Sequence, residues 1–311
     1  MNSEVFTVRE KGEGAIRADC FVASLGMFTR SQIDRRSVTI RDLGGRKLKL
    51  SKRLAEGSKV VVEWEDPPSC DIAPEPLNLR ILYEDDNSLV IDKEQGVVVH
   101  PAHTHMHGTL VQGLLHRYAQ FDTLFPNDRV RPGIVHRLDK DTSGIIITAK
   151  NPQALEFLSA QFRDQSVKKH YLAITRGIPR NAEGEIDSPI GRHPYDRKTF
   201  AVNVPHAKTS LTRYRLLGQA ADYALLLLRI LTGRTHQIRV HLKSMGTAVL
   251  GDPIYGVQDS LFLDATLMLH SWKLAIEIQG AGKKNFTAEL PSRFCSIMDQ
   301  LGMKLPEDLL D

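Results

Sequence analysis

The sequence predicts an α+β protein: a core built on a large, mainly antiparallel mixed sheet, preceded by a small basic α/β domain. Three observations lead there. The stretch Glu65–Pro76 holds four prolines in twelve residues, and proline fixes φ and removes a backbone donor, so it reads as an extended linker. Downstream of it, strand and helix patterns intermingle with few strict βαβ units, which disfavours a doubly wound parallel fold. Residues 1–62 carry 13 Lys/Arg against 7 Asp/Glu, a net +6, although the whole chain of 311 residues carries only +4. The expected division is therefore residues 1–62, a linker over 63–77, and a core over 78–311.

In the first domain, Ala18–Leu25 and Thr29–Arg36 read as two short helices broken near Gly26. Val38–Ile40 and Lys59–Glu63 read as strands, with turns at Gly44-Gly45 and Glu56-Gly57. In the core, Arg80–Tyr83 and Ser88–Asp92 flank a polar turn at Glu84–Asn87, which predicts a hairpin. Gly108–Tyr118 is a helix candidate. Asn151-Pro152 forms an N-cap and N1 pair ahead of Leu155, Leu158 and Phe162 at helical spacing. Ile145–Thr148 is an apolar β-branched run opened by Gly144, and Lys169–Gly177 and Tyr223–Leu231 also read as strands.

Composition excludes several classes. Hydrophobic residues make up 41% and charged residues 25% of the chain, the balance of a globular domain. The polar start Met1–Val5 has no secretory core, and the apolar stretch Ala224–Leu228 is far too short to cross a bilayer. Cys20, Cys70 and Cys295 lie far apart and form no CxxC pair. That usage fits reduced thiols in the cytoplasm, without a disulfide frame or a zinc ribbon. The basic N-terminal fifth fits either a polyanion partner or a solvated charged face.

The most informative segment is His136–Lys150. It sets one carboxylate, Asp139, among His136, Arg137 and Lys140, just before the buried strand. A carboxylate held among cations stays ionised and is a candidate nucleophile, whereas a lone Arg-Leu-Asp-Lys on a turn is more often a solvated pair. The run resembles the HRLDxxTSG motif of RluA-type pseudouridine synthases, whose catalytic aspartate is the Asp of HRLD. Further segments extend the resemblance in order. They are the hairpin Ile81–Lys93, Lys168–Gly177 (KxYLAxxxG), Thr232–Leu242 (TGRTHQIRVHL), Gly251–Gly256 (GDxxYG) and Leu269–Leu274. Together they cover about residues 78–293. Glu94 stands where the family usually has proline. Residues Arg17–Asp19, Thr29–Ile33, Val38–Ile40 and Glu56–Val60 resemble an S4 RNA-binding domain, which places the chain nearest the RluC/RluD type.

The resemblance implies isomerisation of uridine to pseudouridine, with cleavage of the N1–C1′ bond and rejoining through C5, and no metal or organic cofactor. It implies that Asp139 attacks the nucleoside covalently or removes a sugar proton, and both routes need an ionised carboxylate. Arg234 is the expected cation beside Asp139, next to Gly233, against the alternative of a surface arginine at a strand end. Tyr171 would share a strand face with Ala173 and Thr175. Tyrosines in strands mostly pack, but in the resembling family this one stacks under the flipped base and is placed to assist proton loss at C5. Arg137 would fill the space of the extruded base or grip phosphate, or else form a salt bridge within its loop. Arg197, in the loop Gly191–Lys198, is an expected phosphate anchor, and Arg30, Arg35 and Arg36 are expected RNA contacts of the first domain.

His100, His103, His105 and His107 fall within eight residues, yet no cysteine or acidic residue accompanies them. A polar loop is the expectation there, not a metal site. The expected partner is large-subunit ribosomal RNA, bound by a monomer. A tRNA-directed synthase and a non-catalytic ribosome-assembly factor are the alternatives.

Overall fold

In the computed structural model, residues 2–8, 15–25, 33, 37–65, 72–101, 105–125, 131–196 and 198–309 are described. The chain divides into two compact units, Met1–Asp71 and Ile72–Asp311.

The first unit contains β1 (Asn2–Thr7), β2 (Ile16–Arg17), α1 (Ala18–Ser24), β3 (Thr39–Asp42), β4 (Lys47–Leu48), β5 (Arg53–Leu54) and β6 (Lys59–Trp64). Four of these strands form an antiparallel sheet in the order β1-β6-β3-β4, and β2 pairs with β5. Phe21 and Val22 of α1 join Ile33, Ile40, Val60 and Val62 in a core of its own. Alternation explains β6: Val60 and Val62 are buried while Lys59, Val61 and Glu63 are less so. The expected helix over Ala18–Leu25 is present. That over Thr29–Arg36 lies outside the described residues apart from Ile33.

The second unit is a nine-stranded sheet. Its strands are β7 (Arg80–Glu84), β8 (Ser88–Lys93), β9 (Ser143–Ala149), β10 (Lys168–Arg176), β11 (Glu183–Asp187), β14 (Leu211–Ala220), β15 (Tyr223–Ile230), β16 (Leu269–Ile278) and β17 (Gly282–Thr287). The intervening β12 (Ile190–Arg192) and β13 (Phe200–Val202) form a separate ribbon. The order is β11-β14-β15-β10-β16-β9-β8-β7, with β17 also on β16. Among the described residues the one parallel strand pair of this sheet is β9 with β16, through Ser143–Gly144 and His270–Ser271. Helices α2 (Leu110–Arg117), α3 (Phe121–Leu124), α4 (Pro152–Arg163), α5 (Gln237–Ser244) and α6 (Ser292–Gln300) complete the unit.

Strand β9 shows why its sequence is uniformly apolar. Ile145, Ile147 and Ala149 pack with Ala154 and Leu158 of α4, while Ile146 joins a second core with Leu110 and Leu114 of α2. A strand covered on both faces reads as a continuous hydrophobic run. The hairpin turn forms because the Asp85 carboxylate accepts the N–H groups of Asn87 at 2.8 Å and Ser88 at 2.7 Å. Asn151 caps α4 by accepting the Ala154 N–H at 2.8 Å, and Thr109 and Gln112 form a capping box on α2.

Among the described residues no helix is long and apolar enough to cross a membrane, and no group of three or more His, Cys, Asp or Glu is placed to hold a metal. His103, Cys70 and Arg197 lie outside the described residues, as do Arg30, Arg35 and Arg36.

Candidate active site

The Asp139 loop is held from behind by the turn that follows β8. Lys93, 2% exposed, donates its ammonium to the carbonyls of Glu94 (2.9 Å), Val97 (2.9 Å) and Lys140 (3.0 Å). Gly96 N–H also reaches the Lys140 carbonyl at 2.9 Å, and Gln95 donates to that of Asp141 at 3.0 Å. The turn therefore forms with Glu94 in the place of proline. Burial lowers the Lys93 pKa, and the carboxylates of Asp139 and Asp141 act against that. After the loop, Gly144 adopts φ +104°, and a Cβ there would collide with the Ser271 carbonyl of β16. Only glycine permits this approach, which brings β9 into its short parallel pairing.

In front of the loop stands α5. The cation that meets Asp139 is Arg239, not the expected Arg234: Arg239 Nη1 donates to Asp139 Oδ2 at 3.2 Å. The other two nitrogens of Arg239 grip Asp252 at 2.7 and 2.8 Å. Asp252 in turn accepts the N–H groups of Ile254 (2.9 Å) and Tyr255 (3.0 Å). The side chains of Arg239 and Asp252 are both buried. Burial works to lower the Arg239 pKa, but Asp252 and Asp139 outweigh it and hold the guanidinium charged.

Arg234 is exposed, and its Nε donates to the Thr209 carbonyl at 3.1 Å. It still lines the cleft around Asp139, with Arg137, Tyr171, Gly233, Thr235 and His236. The loop it occupies is pinned by buried Gln237. Its Oε1 accepts Thr232 Oγ1–H (2.8 Å) and Arg234 N–H (3.0 Å), and its Nε2 donates to the Leu211 carbonyl and to Thr212 Oγ1, both at 3.0 Å. One helical turn on, His241 bonds Thr212 Oγ1 and the Ser188 carbonyl, both at 2.9 Å. The carbonyl can only accept, so Nε2 carries the proton.

Tyr171, Ala173 and Thr175 of β10 are all buried. Burial raises the Tyr171 pKa, a hydrogen bond with Ser271 acts against it, and the Asp139 charge adds to the rise. The phenol is therefore neutral near pH 7. His136 is not one of the cations about Asp139. It stacks on Phe162 at 4.5 Å, and its Nε2 accepts the Ile147 N–H at 3.0 Å. Burial, with Lys169 nearby, pushes its pKa down to about 3, so it is neutral with the proton on Nδ1. Lys140 turns away to His105 Nε2 at 2.9 Å.

A carboxylate at the mouth of a cleft, paired with a buried guanidinium beside a neutral phenol, can act as nucleophile or base without a metal. Residues 87–244, half of the chain, match the RNA pseudouridylate synthase family. The chain belongs to that family. Its members isomerise uridine in RNA to pseudouridine. A relative from Borreliella burgdorferi named ribosomal large subunit pseudouridine synthase D is 42% identical, over 93% of this chain and 90% of its own. An RNA pseudouridine synthase of Bacillus subtilis, YlyB, is 35% identical over 97% of this chain and 99% of its own. The solved structure of human RNA pseudouridylate synthase domain containing 1 superposes with TM-score 0.60 at 28% identity, covering 76% of this chain and 95% of that one.

Set against the pseudouridine synthase motifs, the structure brings Asp139, Tyr171, Arg137 and Arg234 to one cleft. Sequence reasoning passed over Arg239, Asp252, Gln237 and Lys93. A signal for Arg239 was present: it lies between Ile238 and Val240 in a segment of helical length, and an arginine set among apolar neighbours needs a buried anion.

Proposed function

We propose that this pseudouridine synthase acts on large-subunit ribosomal RNA in the cytoplasm, with Asp139 as its reacting carboxylate and no cofactor. The Arg239–Asp139 contact carries the mechanistic part: a buried guanidinium already neutralised by Asp252 through Nε and Nη2 turns Nη1 to the Asp139 carboxylate and fixes its orientation. Asp139 then attacks C1′ of the extruded uridine or takes a sugar proton, and the C1′–N1 bond breaks with its electrons on the base. The base rotates, C5 bonds to C1′ as the Asp139 ester breaks or as Asp139 returns the sugar proton, and the C5 proton is lost to water while N1 takes one up. Neutral Tyr171 packs beneath the ring. Arg137, exposed at the mouth of the cleft, fills the vacated stack or binds the strand beside it. Arg234 steadies the rim.

The target class rests on the printed name of the Borreliella relative, which aligns over nearly its whole length. The basic first unit supports it. It reads as an S4-type RNA-binding domain using Arg30, Arg35 and Arg36, with Arg197 as a phosphate anchor in the core. The test is pseudouridine mapping of ribosomal RNA and tRNA from cells with and without the protein. Loss of sites in large-subunit RNA is the expected result, and loss confined to tRNA would transfer the target class. Purified protein stripped with a chelator should retain full activity on prefolded RNA.

A further inference from the structure

A second cavity adjoins the cleft around Asp139. It measures about 510 Å³ and shares with the cleft Arg137, Tyr171, Ile230, Gly233 and Arg234. Four cations line it, Arg137, Arg163, Lys169 and Arg234, and the lining contains no carboxylate. Lys169 is the unusual member. It is 7% exposed, and among the described residues its ammonium has no hydrogen-bond or ion-pair partner: it lies over the face of Phe162 at 5.6 Å, with neutral His136 nearby. A buried ammonium without an acceptor is costly to keep, unless an anion arrives to complete it. Lys169 lines the cavity, so an arriving anion can reach it from that side.

We infer that this cavity is a phosphate subsite in which Lys169, with Arg163 and Arg234, takes the RNA backbone phosphate next to the extruded uridine. The inference rests on the proposed reading of the cleft as the uridine site. Tyr171 lines both spaces, so a nucleotide whose base lies against Tyr171 has its flanking backbone within the second cavity. The subsite is selective for a strand that already carries a base in the cleft, because the two spaces are contiguous. Burial also lowers the Lys169 pKa to about 8. A phosphate would raise it again, which couples RNA binding to proton uptake. His136 beside it stays neutral throughout this range, and Arg137, Arg163 and Arg234 line the same cavity.

The experiment compares wild type, Lys169→Gln and Lys169→Arg on in-vitro transcribed large-subunit ribosomal RNA. Lys169→Gln should raise KM about tenfold, the worth of one charge-assisted contact, with kcat falling by less than KM rises. It should also flatten the log–log salt slope of binding by about 0.7–0.9. Wild-type affinity should be full below pH 8 and fall as pH rises through it. Lys169→Arg should bind as tightly as wild type at pH 7 and lose that pH dependence, and this variant still decides the matter if the glutamine variant does not fold. An unchanged KM and salt slope in Lys169→Gln, or an unchanged pH profile in Lys169→Arg, would overturn the subsite. Wild-type turnover in the same assay keeps the two readings apart. Pseudouridine formed with these outcomes unmoved removes only the subsite, whereas no pseudouridine at all removes the reading beneath it.

Discussion

Lys93 and Lys169 are both buried, yet they lie in regions that treat a cation in opposite ways. Behind the Asp139 loop, Lys93 meets three carbonyls at 2.9–3.0 Å. In the second cavity, Lys169 meets an aromatic face and, among the described residues, no acceptor. The first region is complete as folded, and its charge serves to hold a loop. The second is left short of an anion. Satisfaction of polar groups, more than burial itself, separates a structural lysine from one that waits for a ligand.

The largest expected effect concerns the group that Lys93 holds from behind. Asp139→Asn keeps shape and removes charge, and should lower pseudouridine formation by about 10²–10⁴-fold or more. Far-ultraviolet circular dichroism and RNA affinity should remain near wild type. Substantial turnover by this variant would mean that the carboxylate has been assigned to the wrong residue.

Arg239→Met comes next. It strands the buried Asp252 carboxylate and should cost about 3–5 kcal/mol in urea unfolding as well as activity. Arg234→Ala, on the exposed rim, should move the unfolding free energy by no more than about 0.5 kcal/mol. If the two variants lost equal stability, the Arg239 bridge would not be the organising contact.

The two lysines should then diverge on the same substitution. Lys93→Met leaves buried carbonyls without donors and should destabilise by about 1–3 kcal/mol. Lys169→Met removes an unpartnered buried charge and should stabilise the free protein at pH 7 by roughly 1–3 kcal/mol. The sign has a pH signature. The folded Lys169 pKa of about 8 lies below the ordinary lysine value of 10.5, so between those values the unfolded chain binds more protons. Wild-type stability relative to Lys169→Met should therefore rise with pH across that window, by up to about 1.4 kcal/mol per unit. A flat difference would show that Lys169 finds a partner in solution and would collapse the contrast.

Much of the second unit was legible from local chemistry. The β-branched run at Ile145–Thr148, the Asn151-Pro152 cap and the Asp85 turn each declare themselves within a few residues, because the forces that form them act over that range. The cluster His136-Arg-Leu-Asp-Lys was read as a carboxylate among cations, and the structure departs from that electrostatic picture. His136 is neutral and stacked on Phe162, and Lys140 faces His105. Choosing Arg239 over Arg234 required knowing that α5 begins at Gln237, which turns Arg239 inward toward Asp252. Pairing across 100 residues of chain is decided by the packing of helix on sheet, and adjacency in sequence gave Arg234 an advantage that the fold does not honour. Lys169 is the lysine of the KxYLAxxxG segment, but nothing local marks it as buried, since a lysine at a strand start is ordinarily solvated.

The Arg239 bridge ties Asp139 to Asp252, 113 positions apart in the sequence, and thereby sets an order of events during synthesis. A chain emerging from the ribosome displays its carboxylate long before the guanidinium that orients it, and longer still before the anion that neutralises that guanidinium. Parallel pairing of β9 with β16 waits for residues 270–271, and contacts of such sequence separation form late. Nascent chains, and fragments that stop short of Asp252, would therefore hold the Asp139 carboxylate without its bracket. An oriented carboxylate would arrive only with nearly the whole domain.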